Sequence, residues 1–185
     1  MEGAIFYTTK YGSTGDYAGW IGDATGLPVF DINHGHGSIE ALDFIVIGCP
    51  IYFHRVLGEA WIRRHLAELH GKPVVLFTVS GAPAGPKLDR WIATSLPREL
   101  IDGADHFALF GRQVPKTLTW FERILLIIAG LFNPDRKAGR EEMQGFDFMD
   151  KTSIQPVVDM IETLKARDGP RSRPDERQAL QGRAL

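Results

Sequence analysis

The sequence predicts an α/β domain built on a parallel sheet, and three observations carry that prediction. Short apolar runs rich in Ile, Val and Phe are continuous rather than alternating, as strands covered on both faces require. Each run ends near Gly, Pro or Ser, residues that punctuate turns. Helical stretches separate most of the runs, which points to right-handed strand–helix–strand crossovers. In order, the expected strands are residues 4–7, 28–32, 43–48, 73–79 and 106–110. The expected helices are 14–25, 57–70, a stretch near 87–100, and a final one at about 152–166. The link between the second and third strands, "NHGHGSIEAL", is short and has only a weak helical pattern.

At 185 residues the chain fits one domain with a sizeable core. Apolar residues at 44% and charged residues at 24% are ordinary for a soluble globular protein. A formal net charge of −2 gives no electrostatic case for nucleic acid as a partner. One cysteine cannot form an internal disulfide, which fits a reducing compartment. The start "MEGAIFYTT" lacks the basic region and long apolar stretch of a signal peptide. No run reaches the roughly 20 apolar residues that span a bilayer. The expected location is cytoplasmic.

The first strand is followed by "TTKYGST", residues 8–14, which crowds Thr8, Thr9, Ser13 and Thr14 around Gly12. Capping a helix needs one hydroxyl. A surplus at the mouth of a strand suits an anion, because helix-start N–H groups and hydroxyls donate to it without a formal charge. No Lys follows Gly12, so this is not the GxxxxGK[ST] phosphate loop, and GxGxxG is absent as well. A phosphoacceptor receiver domain would need an acidic pair after the first strand and an Asp ending the third. Thr8-Thr9 and Gly48-Cys49-Pro50 stand there instead.

The spacing Thr9-x-x-Gly12-Ser13-Thr14 resembles the phosphate loop of flavodoxin-like proteins. Two further loops share the likeness: "GCPIYFHRVLG", residues 48–58, and "VSGAPAGP", residues 79–86. The resemblance covers roughly residues 4–166 and implies a three-layer sandwich, sheet order 2-1-3-4-5, and FMN as cofactor. It places the cofactor's phosphate against Thr9, Lys10, Tyr11, Gly12, Ser13 and Thr14. Tyr11 stands where many flavodoxins have Thr. The isoalloxazine ring is expected against Pro50, Ile51, Tyr52 and Phe53, and its pyrimidine edge against Ser80, Gly81, Ala82 and Gly85. His54 and Arg55 are the expected catalytic residues, since His titrates near neutrality and Arg can hold an anionic substrate.

Residues 113–148 do not belong to the repeating unit and are expected as an insertion holding an apolar helix. From Ile124 to Phe132 such a helix measures about 13 Å, at ~1.5 Å per residue, too short to cross a membrane. It would be buried in the core, pack in a homodimer, or make peripheral membrane contact through residues 118–132 on the inner face. Trp120, Phe121, Glu122 and Arg123, then "ILLIIAGLF", then Asp135, Arg136, Lys137 and "FDFMD", resemble the menaquinone-dependent protoporphyrinogen oxidases. That likeness implies oxidation of a porphyrinogen-like small-molecule substrate with a quinone as acceptor. Arg55, Lys87, Arg112 and Lys116 would then supply cations for substrate propionates. The strand-three loop "PIYFHR" departs from the pattern of those enzymes. Two other functions stay open: an electron-transfer protein without its own small-molecule substrate, and a flavin-free interaction module.

His34 and His36 form an H-x-H pair, but a metal site needs at least a third ligand, and no metal is expected. Cys49 is expected as a small packing group. The domain is expected to run over 1–167, with the tail 168–185, rich in charge, Pro and Gly, disordered.

Overall fold

Strand β1 (Gly3–Tyr7) is flanked by β2 (Val29–Asp31) on one side and by β3 (Phe44–Tyr52), the central strand, on the other. The computed structural model describes residues 1–35, 37–113 and 146–167. Next to β3 lies β5 (Val74–Ser80), and β6 (Ala104–Phe110) closes the far edge. All four pairings are parallel, and the order is β2-β1-β3-β5-β6. Counted over these five strands, this is the expected 2-1-3-4-5 order.

Helices cover both faces. Helix α1 (Ser13–Thr25) and the last helix, α6 (Gln155–Ala166), pack on one face, where Ile5, Val46, Val75 and Phe77 point. From α1, Tyr17, Ala18 and Ile21 enter that core, and from α6, Val157, Ile161 and Leu164 do. Their i, i+3 or i+4 spacing puts each set on one helix face. On the other face, Phe6, Ile45, Ile47 and Leu76 meet α2 (Glu59–Arg64), α3 (Leu66–Leu69), α4 (Pro86–Ser95) and α5 (Arg98–Gly103). Fully burying one Ile, Leu or Phe contributes about 1.5–3 kcal/mol, so these two layers hold the sheet.

Four boundaries differ from the sequence expectation. The third strand does not end at Gly48 but runs on to Tyr52, so Pro50, Ile51 and Tyr52 are strand, not loop. Proline has no N–H for a sheet ladder. Here its carbonyl still accepts from the Leu57 N–H at 3.0 Å, and the extension folds back as a hairpin with β4 (Arg55–Val56). The expected helix 57–70 is interrupted at His65, whose Nδ1 lies 2.9 Å from Glu68 Oε1. The stretch near 87–100 is broken at Leu96, which is extended (φ −100°, ψ 154°) because Pro97 follows it. Before α6, residues Lys151–Ile154 form a 3-10 turn capped by the Asp150 side chain. Among the described residues, the link from β2 to β3 contains no helix. The expected apolar helix of the insertion and the tail 168–185 lie outside the described residues.

Gly48 is a packing requirement of the central strand. A Cβ there would sit 2.2 Å from the Phe77 ring, which is itself fully buried. Gly48→Ala should cost ~1–3 kcal/mol, as overpacked cores do. Denaturant unfolding checks this, and Phe77→Leu in the same chain should recover most of the loss.

Candidate functional site

The carboxyl ends of parallel strands all face one end of the sheet. From β1 the chain crosses to β2 on one side, and β3 then starts the other half, so the switch point lies between β1 and β3. Ligands in open α/β sheets bind at such a crevice.

At that point β1 gives way to residues 8–12. The Thr8 N–H donates to Gly48 O at 3.0 Å, which extends the β1–β3 pairing one residue beyond the strand. Asn33 donates through Nδ2 to Thr8 Oγ1 (3.1 Å) and to Asp31 Oδ1 (2.8 Å). Burial pushes the Asp31 carboxyl up, but the Asn33 hydrogen bonds and neighbouring His34 outweigh it and hold it below the usual range. The Gly12 N–H donates to Thr9 Oγ1 at 3.0 Å, and Gly12 takes the left-handed conformation (φ 89°) that starts α1.

Among the described residues, no side chain caps α1. The N–H groups of Ser13, Thr14 and Gly15 have no acceptor inside the helix, as at any helix start. Thr14 is 1% exposed, and its Oγ1 is buried without a hydrogen-bond partner. A buried orphan hydroxyl costs about 1–3 kcal/mol, so its presence beside an uncapped helix start marks a place for an acceptor. Ser13 is different. Its Oγ accepts from the Arg112 N–H at 3.1 Å and donates to Arg112 O at 3.5 Å, so it holds a strand rather than offering a free hydroxyl. The three expected hydroxyls therefore stand in different surroundings: Thr9 Oγ1 accepts from Gly12, Ser13 Oγ meets Arg112, and Thr14 Oγ1 is buried without a partner among the described residues.

Aromatic rings gather beside this loop. Tyr11 and Tyr52 meet edge to face at 6.0 Å, and the Lys10 ammonium lies 5.0 Å from the Tyr52 ring centre. At the tip of the β3–β4 hairpin, Phe53 (φ 43°) and His54 (φ 64°) are both left-handed. A two-residue hairpin of the type I′ kind needs φ > 0 at both central positions, normally from Asn or Gly. Two side-chain-bearing residues there cost of order 1–3 kcal/mol each. Ring contacts hold them: Phe53 lies 4.5 Å from Tyr52, and His54 stacks on Trp91 at 4.6 Å and 23°. Phe53 remains 48% exposed, a flat apolar surface at the crevice end of the sheet. Arg55 is paired with Glu59 at 3.2 Å, and the Lys87 ammonium sits 5.1 Å above Trp91.

The loop after β5 is a self-contained turn. Ser80 Oγ accepts from Ala82 N at 3.1 Å and donates to Ala82 O at 3.0 Å, while Gly81 is exposed and Gly85 starts α4. Beyond β6, Gly111 N donates to Ser80 O, and the short strand β7 (Arg112–Gln113) pairs antiparallel with β8 (Phe146–Asp147). The Tyr17 hydroxyl donates to Phe110 O and accepts from Asp150 N, so both of these segments are pinned to α1. Arg112 Nη2 lies 2.7 Å from Asp16 Oδ2.

Sequence reasoning missed Trp91, Asn33 and the Asp16–Arg112 pair. Trp91 stands one helical turn after Lys87, a usable signal; the Asp16–Arg112 contact has none. Lys116, His36 and residues 120–137 lie outside the described residues. Among the described residues, no helix is long and apolar enough to cross a membrane, and no group of three His, Cys, Asp or Glu side chains could hold a metal ion.

A family model described as "Flavodoxin domain" matches residues 4–129. The chain belongs to that family. Solved structures similar to this flavodoxin domain include oxidised flavodoxin 1 from Bacillus cereus, at 16% identity over 60% of this chain and 86% of that one, TM-score 0.41. A flavoprotein in complex with FMN from Lactobacillus acidophilus is 13% identical over 59% of this chain and 91% of its own, TM-score 0.44. A Fusobacterium nucleatum flavodoxin bound to flavin mononucleotide is 18% identical over 60% and 71%, TM-score 0.41. A comparison with curated proteins finds no match.

Two outcomes follow from this geometry. Thr14→Val removes an orphan hydroxyl at constant shape, so the ligand-free flavodoxin domain should unfold at the same or higher denaturant concentration, by up to ~1 kcal/mol. Cys49 is 1% exposed, and burial pushes its thiol up to about 12. The neutral thiol is a poor nucleophile, so native protein at pH 8 should resist thiol reagents and label only on unfolding, as mass spectrometry would show.

Proposed function

We propose that this flavodoxin-domain protein binds FMN non-covalently at the end of β1 and acts as an oxidoreductase. The observation that carries the cofactor is the Thr14 hydroxyl, buried and unpartnered beside the uncapped start of α1. A phosphate ester has the acceptor oxygens that these donors lack. Thr9, already aligned by the Gly12 N–H, can donate its own hydrogen outward, and Lys10 brings a cation to the same loop. Tyr52 and Phe53 supply the aromatic surface for the flavin ring, and the Ser80–Ala82 turn and Gly85 supply its polar edge. When bound, FMN supplies the electron and hydride chemistry that no amino-acid side chain provides. His54 is within the same hairpin, stacked on Trp91, and an imidazole there can hold or deliver a proton at the substrate.

We infer further that the substrate is a porphyrinogen-like molecule and the acceptor a quinone, the reaction implied by the likeness in Trp120–Arg123 and "FDFMD". The substrate would lose an electron pair with its protons, and the quinone would become the quinol. Two features support direct chemistry over a pure electron shuttle. The turn after β5 brings no aromatic to cover a second flavin face. Phe53 and Arg55 leave an exposed apolar and cationic margin on the first, with Arg55 72% exposed. Peripheral membrane contact or homodimer contact through residues 118–132 belongs to the same proposal.

The purified protein should be yellow, with flavin bands near ~375 and ~450 nm. Thr14→Glu should abolish FMN retention while circular dichroism stays unchanged; unaltered flavin content would refute the phosphate assignment. Reduced protein should be reoxidised rapidly by a menaquinone analogue. Reoxidation by a protein partner alone would return it to the class of electron carriers.

A further inference from the structure

We propose that Arg112 makes the site select a phosphorylated flavin over riboflavin. This rests on the FMN assignment above and names the residue that enforces it. Asp16 sits in the first turn of α1, the turn whose open N–H groups face the crevice. An acid there stabilises the empty helix through the macrodipole, but it repels a second anion arriving at the same turn. Arg112 resolves that conflict. Its Nη2 is 2.7 Å from Asp16 Oδ2, and the same nitrogen lies 3.2 Å from where a Cβ would stand on Gly12. The guanidinium therefore spans from the acid to the turn of the phosphate loop.

Its position is fixed from the backbone outward. Ser13, the first residue of the helix, holds the Arg112 N–H and carbonyl, and β7 is further tied to β8. Gly111 packs against the end of β5, where its N–H donates to Ser80 O at 2.9 Å. A guanidinium carries five N–H donors; one engages Asp16, and the planar fork leaves others for phosphate oxygens. Gly12 is required twice over, for its left-handed turn and for the space Arg112 occupies. Riboflavin has no phosphate, so it gains nothing from this cation.

The full-length protein is titrated with FMN and with riboflavin, following flavin fluorescence, at several KCl concentrations. Arg112→Gln should weaken FMN by ~10- to 100-fold, the scale of a hydrogen bond to a charged group. Riboflavin should change less than about twofold, and the salt dependence of FMN binding should flatten. Asp16→Asn should tighten FMN and leave riboflavin unchanged. Equal losses of both flavins in Arg112→Gln, or none, would overturn the role of Arg112 while leaving the cofactor in place. If that variant does not fold, Asp16→Asn decides, and an unaltered FMN affinity there overturns the proposal. Wild-type protein that binds neither flavin sinks the cofactor assignment itself, and this inference with it.

Discussion

A helix cannot satisfy its own first N–H groups, and at α1 no side chain among the described residues does so. That shortage sits at the one place in the sheet where the crossovers diverge, and the surrounding parts are built around it. Gly12 turns the chain so the three open donors of the first turn are grouped. Thr8, held to Gly48, keeps the end of β1 in register with β3. Thr14 is left with a buried hydroxyl that the protein alone does not use. Free of ligand, the domain carries this arrangement as a cost, and a phosphate would relieve it.

The aromatic side of the crevice follows a similar logic with different forces. The hairpin tip places Phe53 and His54 in a backbone region that side chains disfavour, and stacking on Tyr52 and Trp91 holds them there. Strain in one element is thus balanced by packing from two others. The first loop and the hairpin meet through Tyr11 and Tyr52. A change in either is felt by the other.

The sheet was legible because buried parallel strands write themselves as continuous apolar runs, and Ile45–Ile47 and Val74–Val79 do so plainly. The turn into α1 was legible too, since Gly12 supplies the left-handed conformation that starts the helix. The end of β3 was not. Pro50 reads as a strand terminator, and a tight turn on Phe53-His54 has none of the Asn or Gly that signals one. The break before Pro97 is marked in the sequence by the proline itself; the one at His65 has no punctuation to mark it. Ser13 illustrates the deeper limit. Its hydroxyl also accepts from the N–H of a residue 99 positions later, and no local pattern announces such a contact.

The pairing of Arg112 with Asp147, and of Gln113 with Phe146, sets positions 113 and 146 side by side in one antiparallel ladder. A connection that departs and re-enters through one ladder is topologically a hairpin, whatever its length. Chain added or removed between two such paired ends does not reroute the β2-β1-β3-β5-β6 sheet, so this is a position where length and content can change across a family's history while the scaffold is inherited intact.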